Sequence, residues 1–159
     1  MKSASEAICL QEIPDEISLS FSISNCPHHC QGCHSQYLWA NVGRDVHPEL
    51  VKQLAAYSDL ITCVLFMGGD DENQKADLKQ ELKFLKANYP NLKTALYSGS
   101  ESVSEEILKL LDYVKVGPYI SELGSLKSPT TNQRLYKIDN GSLIDITNRF
   151  WEKPYQLKN

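Results

Sequence analysis

The chain lacks any apolar run approaching the roughly 20 residues that a membrane-spanning helix needs, so no membrane span is expected. It also lacks a surplus of positive charge. Lys plus Arg number 16 against 20 Asp plus Glu, for a formal charge of −4. A general nucleic-acid binder needs net or clustered positive charge to meet phosphate, so no nucleic-acid partner is expected. Internal repeats, low-complexity tracts and obvious linkers are missing too, and 159 residues fit a single domain over 1–159. Met1-Lys2-Ser3-Ala4-Ser5-Glu6 leads into only a short apolar patch, which is not a secretory signal. A fully paired disulfide framework is excluded because the five cysteines are an odd number. A chain of this length also buries a core without one.

What the sequence does hold is clustered. Cys26, Cys30 and Cys33 fall within eight residues, while Cys9 and Cys63 stand apart. Clustered Cys in a cytosolic protein reads first as metal or redox chemistry. Cys9 and Cys63 lie in apolar strand contexts and are expected to act as small buried hydrophobes.

Residues 16–24, EISLSFSIS, alternate strictly, with Ile17, Leu19, Phe21 and Ile23 on one face and Ser18, Ser20, Ser22 and Ser24 on the other. Period two predicts a strand. A stretch around Ala7–Leu10 is expected to pair with it as an antiparallel edge. A polar loop, 25–46, follows. Pro48 is expected at the first position of a helix, where its missing N–H costs nothing. Residues 61–67, ITCVLFM, predict a strand covered on both faces. A helix is expected over 72–88 from Leu78, Leu82 and Leu85, and a strand over 92–97. Ser102 with Glu105 suggests a capping box for a helix reaching residue 111. A further strand is expected over 113–116. After a long loop, Asp139-Asn140-Gly141 between two short apolar segments predicts a hairpin.

Strand and helix alternate, which implies βαβ units and a parallel sheet. Parallel α/β proteins place ligands at the carboxyl ends of their strands. Those ends are the Cys loop, Gly68-Gly69-Asp70, Tyr97-Ser98-Gly99 and Gly117-Pro118.

Cys26-Pro27-His28-His29-Cys30-Gln31-Gly32-Cys33 has the spacing CxxxCxxC. Three thiolates can grip three corners of a 4Fe–4S cubane, which normally takes four Cys, and leave one iron open. A zinc site would want a fourth protein ligand and different spacing.

CxxxCxxC on the loop after a first strand resembles the signature of the radical S-adenosylmethionine superfamily. In that family the open iron chelates the amino and carboxylate groups of S-adenosylmethionine. Gly68-Gly69-Asp70 resembles its GGE-type motif, which meets the cofactor's amino group, with Asp in place of Glu. The run from Cys26 to His34 is similar to the CPHxCxGCH form of the anaerobic ribonucleoside-triphosphate reductase activating proteins. Tyr97-Ser98-Gly99 resembles the YTG/YSG turn of that branch, and the segment from Asp112 to Tyr119 resembles its D-x-x-x-x-GPF/Y element. The segment from Ser128 to Arg134 resembles its GSSNQR segment. The likeness runs in order from residue 17 to about residue 138.

The resemblance implies an α/β fold, an incomplete and laterally open β/α barrel (a partial TIM-like core) with a C-terminal loop and hairpin. A complete barrel typically takes about 250 residues. It implies that Cys26, Cys30 and Cys33 are the metal ligands. Gly68, Gly69, Asp70, Tyr97, Ser98, Lys115 and Gly117 are then the cofactor-binding residues. It further implies a 4Fe–4S cluster and S-adenosylmethionine as cofactors, and cleavage of the latter to a 5′-deoxyadenosyl radical. That radical would create a glycyl radical on an anaerobic ribonucleoside-triphosphate reductase. A flavodoxin or ferredoxin-type electron donor and a cytoplasmic location are implied as well. Other readings are an activase of another glycyl radical enzyme, such as pyruvate formate-lyase, and a zinc-stapled interaction module without catalysis. His28, His29 and His34 read as polar loop residues, and His47 as an exposed residue ahead of its helix. Either Asp70 or Asp71 could instead serve the start of the next helix. Asn132, Gln133 and Arg134 are left among capping, cofactor and partner roles. Trp39 and Trp151 are expected to serve packing or an interface, and the tail 153–159 is expected to be mobile.

Overall fold

Strict alternation makes the first parallel strand and sets which way it faces. In the computed structural model, residues 1–151 are described. β1 (Lys2–Cys9) precedes β2 (Ser18–Ile23), and the chain then crosses the Cys loop to a two-residue strand, β3 (Arg44–Asp45). Next come α1 (Val46–Tyr57), β4 (Cys63–Met67), α2 (Lys75–Asn88), β5 (Lys93–Tyr97), α3 (Glu105–Leu108) and β6 (Tyr113–Val116). The hairpin β7 (Arg134–Asp139) and β8 (Ser142–Asp145) completes one open, mixed α/β sheet in the order β3-β1-β2-β4-β5-β6-β7-β8. β2, β4, β5 and β6 are mutually parallel, and the strands on both flanks are antiparallel.

One face of the sheet carries the helices. Leu19, Phe21 and Ile23 of β2 pack in one cluster with Leu50 and Leu54 of α1, Leu78, Leu82 and Leu85 of α2, and Ile107 of α3. Burying each of these side chains contributes about 1.5–3 kcal/mol. The opposite face carries a smaller cluster of Cys63, Leu65, Ala95, Tyr113 and Leu135, covered by Ile13 and Leu126 from loops. Ser18 and Ser20 are buried on β2. Ser20 Oγ donates to the Ala7 carbonyl at 3.1 Å.

Several local expectations are corrected. Ile17 lies outside β2, is 37% exposed and does not join the helix-side core. Cys63 is fully buried, but Cys9 is only half-buried, its Sγ 3.3 Å from Ser20 Oγ. Pro48 stands at the third position of α1 rather than the first. It is tolerated there because the N–H groups of a helix's first turn have no intrahelical partner. α2 begins at Lys75, because Gln74 and Lys75 both donate backbone N–H bonds to the Asp71 carbonyl and hold a separate turn ahead of the helix. The capping box at Ser102 and Glu105 does not form. Ser104 is the cap residue of a single-turn α3, and it makes no side-chain capping bond. Its carbonyl instead receives the Ile107 and Leu108 N–H groups. The loop 25–46 holds a short 3-10 helix, Gln36–Trp39, as well as β3.

The expected hairpin is present. Asn140 (φ 48°) and Gly141 (φ 79°) both take the left-handed conformation that a two-residue turn of this kind requires. No helix among the described residues is long and apolar enough to cross a membrane. The tail 153–159, expected to be mobile, lies outside the described residues.

Candidate metal centre

Four parallel strands end on one edge, and their loops enclose an open cavity of about 160 Å³. Cys26, Cys30 and Cys33 line it together with Gly68, Gly69, Asp70, Tyr97, Ser98 and Lys115. Of the residues expected at a cofactor, Gly117 alone stays out of the lining. Its N–H donates to the Ser100 carbonyl at 2.7 Å, and its own carbonyl receives Lys115 Nζ at 2.7 Å and Gln133 Nε2 at 3.3 Å. Gly117 therefore holds Lys115 in place rather than facing the cavity.

The Cys loop is pinned at its base. The backbone N–H of Cys26 donates to the Leu38 carbonyl at 2.9 Å, and that of Asn25 to the Ala40 carbonyl at 3.1 Å. Gln74, buried at the entry to α2, donates from Nε2 to the Ser24 carbonyl at 3.2 Å, the Asn25 carbonyl at 3.3 Å and Asp71 Oδ2 at 2.8 Å. The far end of the loop folds on itself. Cys33 N–H donates to the Cys30 carbonyl at 3.1 Å, and Ser35 N–H donates to Cys33 Sγ at 3.4 Å. All three thiols are free and half-buried.

Gly68 (φ 97°) and Gly69 (φ 93°) both occupy the left-handed region, where a Cβ is strained. The two aspartates that follow part company. Asp71 receives the Asn73 N–H on Oδ1 at 3.0 Å and Gln74 on Oδ2, which commits it to the α2 entry. Asp70 instead receives Ser98 Oγ at 2.6 Å, across the strand ends. Ser98 Oγ in turn accepts the Ser100 N–H at 2.9 Å. Tyr97 lines the cavity, but its hydroxyl donates to the Glu12 carbonyl. Burial pushes that phenol well above its ordinary pKa. The hydroxyl is a structural tie, which leaves the ring for any ligand.

Lys115 is the one ammonium among the described residues that line the cavity, and it is only 7% exposed. Nζ donates to the Ser98 carbonyl at 3.1 Å and the Gly117 carbonyl at 2.7 Å. Burial lowers its pKa to about 8, against the opposing pull of Cys30 and Asp70. Burial also pushes the Cys26 thiol up, against backbone N–H groups of His28 and His29 that favour the thiolate.

Sequence reasoning missed part of the lining. His29 stacks on Trp39 with ring centroids 4.7 Å apart, and His34 tilts against Tyr119 at 5.4 Å. Trp39 lines the cavity, and its indole N–H is buried without a partner. The His28 ring sits so close to Gly99 that a Cβ there would meet it at 2.5 Å. His47 is exposed as expected, yet its Nδ1 lies 2.8 Å from Glu81 of α2. Trp151 anchors the end of the described chain by donating to the Leu126 carbonyl at 2.9 Å. Arg134 donates to the carbonyls of Thr131 and Gln133, and Asn132 to that of Pro118, so these residues brace their own loop.

The donor set fits an iron–sulfur cluster. Three free thiols line one open cavity, beside a glycine pair and a buried cation. Among the described residues, no three His, Cys, Asp or Glu side chains gather closely enough about one point to hold a single metal ion. A cubane needs no such point, because its thiolates bind separate irons. No curated protein and no solved structure matches the chain significantly. The model of the 4Fe-4S single cluster domain family matches residues 17–138, from the residue before β2 into the hairpin strand β7. The chain therefore belongs to the 4Fe-4S single cluster domain family and is an iron–sulfur protein.

Proposed function

We propose that this iron–sulfur protein is a radical S-adenosylmethionine enzyme that generates a glycyl radical on an anaerobic ribonucleoside-triphosphate reductase. In this reading Cys26, Cys30 and Cys33 hold three irons of a 4Fe–4S cluster and leave the fourth open. The observation that carries it is the convergence of those three thiols with Gly68, Gly69 and Asp70 on one cavity at the carboxyl edge of the parallel strands.

The sheet supports the same reading. Its four parallel strands follow chain order, and buried side chains of all three helices pack on one face. A doubly wound sheet reverses its order and has helices on both faces, whereas a β/α barrel keeps one order and one helical face. We therefore take the sheet as an incomplete, laterally open barrel, one domain over 1–159, with a C-terminal loop and hairpin.

Held by Cys26, Cys30 and Cys33, the cluster would supply one electron for cleavage of the sulfonium to methionine and a 5′-deoxyadenosyl radical, and that radical would take one hydrogen atom from a glycine Cα of the partner. This chain's residues do the rest: they bind, orient and exclude water. The left-handed glycines let a ligand approach the backbone closely. Asp70 offers a carboxylate for an ammonium, steadied by Ser98. The Tyr97 ring and Lys115 close the inner wall. A flavodoxin or ferredoxin-type donor and a cytoplasmic setting belong to the same proposal.

The test is anaerobic reconstitution with iron and sulfide, followed by electron paramagnetic resonance of the dithionite-reduced protein. The expected result is a 4Fe–4S signal that changes when S-adenosylmethionine is added. A cluster whose signal ignores that molecule would sink the enzyme reading. A glycyl radical signal that appears only with the ribonucleotide reductase, and not with pyruvate formate-lyase, would identify the partner.

A further inference from the structure

Lys115 sits where few lysines are tolerated. It extends from β6, a central parallel strand, into the inner wall of the thiol-lined cavity, and water reaches only 7% of it. A buried ammonium is costly unless the surroundings hold it. Here two carbonyls do so, Ser98 O and Gly117 O, both at turns just beyond strand ends. No carboxylate among the described residues bonds it directly. The acid on the same network, Asp70, accepts its hydrogen bond from Ser98 Oγ, at 2.6 Å. The cation is therefore neither neutralised by an ion pair nor free to swing away. Its charge remains exposed to whatever the three thiols hold.

We infer that Lys115 is a positioning residue for charge, a fixed internal cation that raises the reduction potential of the cluster held by Cys26, Cys30 and Cys33. This rests on the three-cysteine assignment proposed above. Reduction adds one electron from an external reductant, with no bond to the protein made or broken. The reduced state is thus one unit more negative. A fixed positive charge stabilises it more than the oxidised state, and low dielectric strengthens the effect. Net charge and hydrogen bonding are recognised controls of cluster potential. Asp70, on the same network, acts with the opposite sign.

The test is a potentiometric titration of the reconstituted protein without S-adenosylmethionine, so that any contact of Lys115 with that molecule contributes nothing. Wild type, Lys115→Met, Lys115→Gln and Asp70→Asn are compared at matched iron and sulfide content. At a fixed potential, both Lys115 variants should hold at least tenfold less reduced cluster relative to oxidised, a shift of about 59 mV downward for one electron. Asp70→Asn should move in the other direction. Unchanged potentials in the Lys115 variants, or shifts of one sign in all three, would overturn the inference. If neither Lys115 variant assembles a cluster, the ammonium serves assembly and the inference also fails. A wild type that binds no cluster would instead overturn the site assignment beneath it.

Discussion

Two neighbouring carboxylates, identical in type, are separated by what their oxygens already bond. Asp71 spends both on the turn into α2, through Asn73 and Gln74. Asp70 faces the cavity network through Ser98. The sequence left this pair open, because adjacent residues after a glycine pair carry no periodicity to sort them. Asp71→Ala should therefore lower stability by about 1 kcal/mol, the usual cost of losing a cap-like bond. It should leave S-adenosylmethionine affinity within about twofold of wild type, well under 1 kcal/mol, because Asp71 borders the cavity with both oxygens already engaged by Asn73 and Gln74. Asp70→Ala should weaken that affinity at least tenfold, or about 1.4 kcal/mol, with little change in melting temperature. Thermal unfolding and equilibrium binding on the reconstituted protein measure both. Affinity unchanged by Asp70→Ala would remove Asp70 from the site.

At the scale of elements, Asp112 shows how a residue quoted for a motif serves the frame. It stands one position before β6, and its Oδ2 receives the Thr94 backbone N–H at 2.8 Å, Thr94 Oγ1 at 3.2 Å and Lys86 Nζ at 2.7 Å. One carboxylate thus ties β5, β6 and α2 together. Burial alone would raise its pKa, but the bonds from Lys86 and Thr94 outweigh that and hold it below its ordinary value of 3.8. A lowered folded pKa means that the contribution is full at neutral pH. It is lost as pH falls past the ordinary value and through the lower folded one. Asp112→Asn should cost about 1–3 kcal/mol at pH 7, the range for weakening bonds to a charged group or stranding a buried donor. The deficit against wild type should shrink on acidification. Urea unfolding at pH 7 and pH 3 reads this, and a deficit independent of pH would rule out the charged role.

The same scale explains what was legible. β2, β4, the apolar ladder of α2 and the Asn140-Gly141 hairpin follow from period and turn chemistry. Periodicity survives there because each element buries a whole face. α3 was overread, because Ser102 and Glu105 have cap spacing but the chain is held by backbone bonds to the Ser104 carbonyl. Gln74 was unreadable, because its three acceptors come from a loop 50 residues earlier and from the adjacent turn.

Across the whole molecule, the cysteines report the division between reactive edge and inert core. Cys63 is wholly enclosed on β4, and burial pushes its thiol up to about 12. Cys26, Cys30 and Cys33 line an open cavity, and Cys9 is half-buried on the outer β1. Thiol reactivity follows thiolate fraction and access. Alkylation under native, anaerobic conditions should therefore label four of the five free thiols in the cluster-free protein, Cys26 more slowly than Cys30 and Cys33 because burial raises its pKa. The fifth, Cys63, should react only in denaturant. Loading the cluster should protect the three loop thiols together and leave Cys9 accessible, since iron holds all three as thiolates at once. Mass spectrometry of each state counts and places the labels. Native labelling of Cys63 would contradict the enclosed strand. Protection of only one or two loop thiols would contradict a centre held by all three.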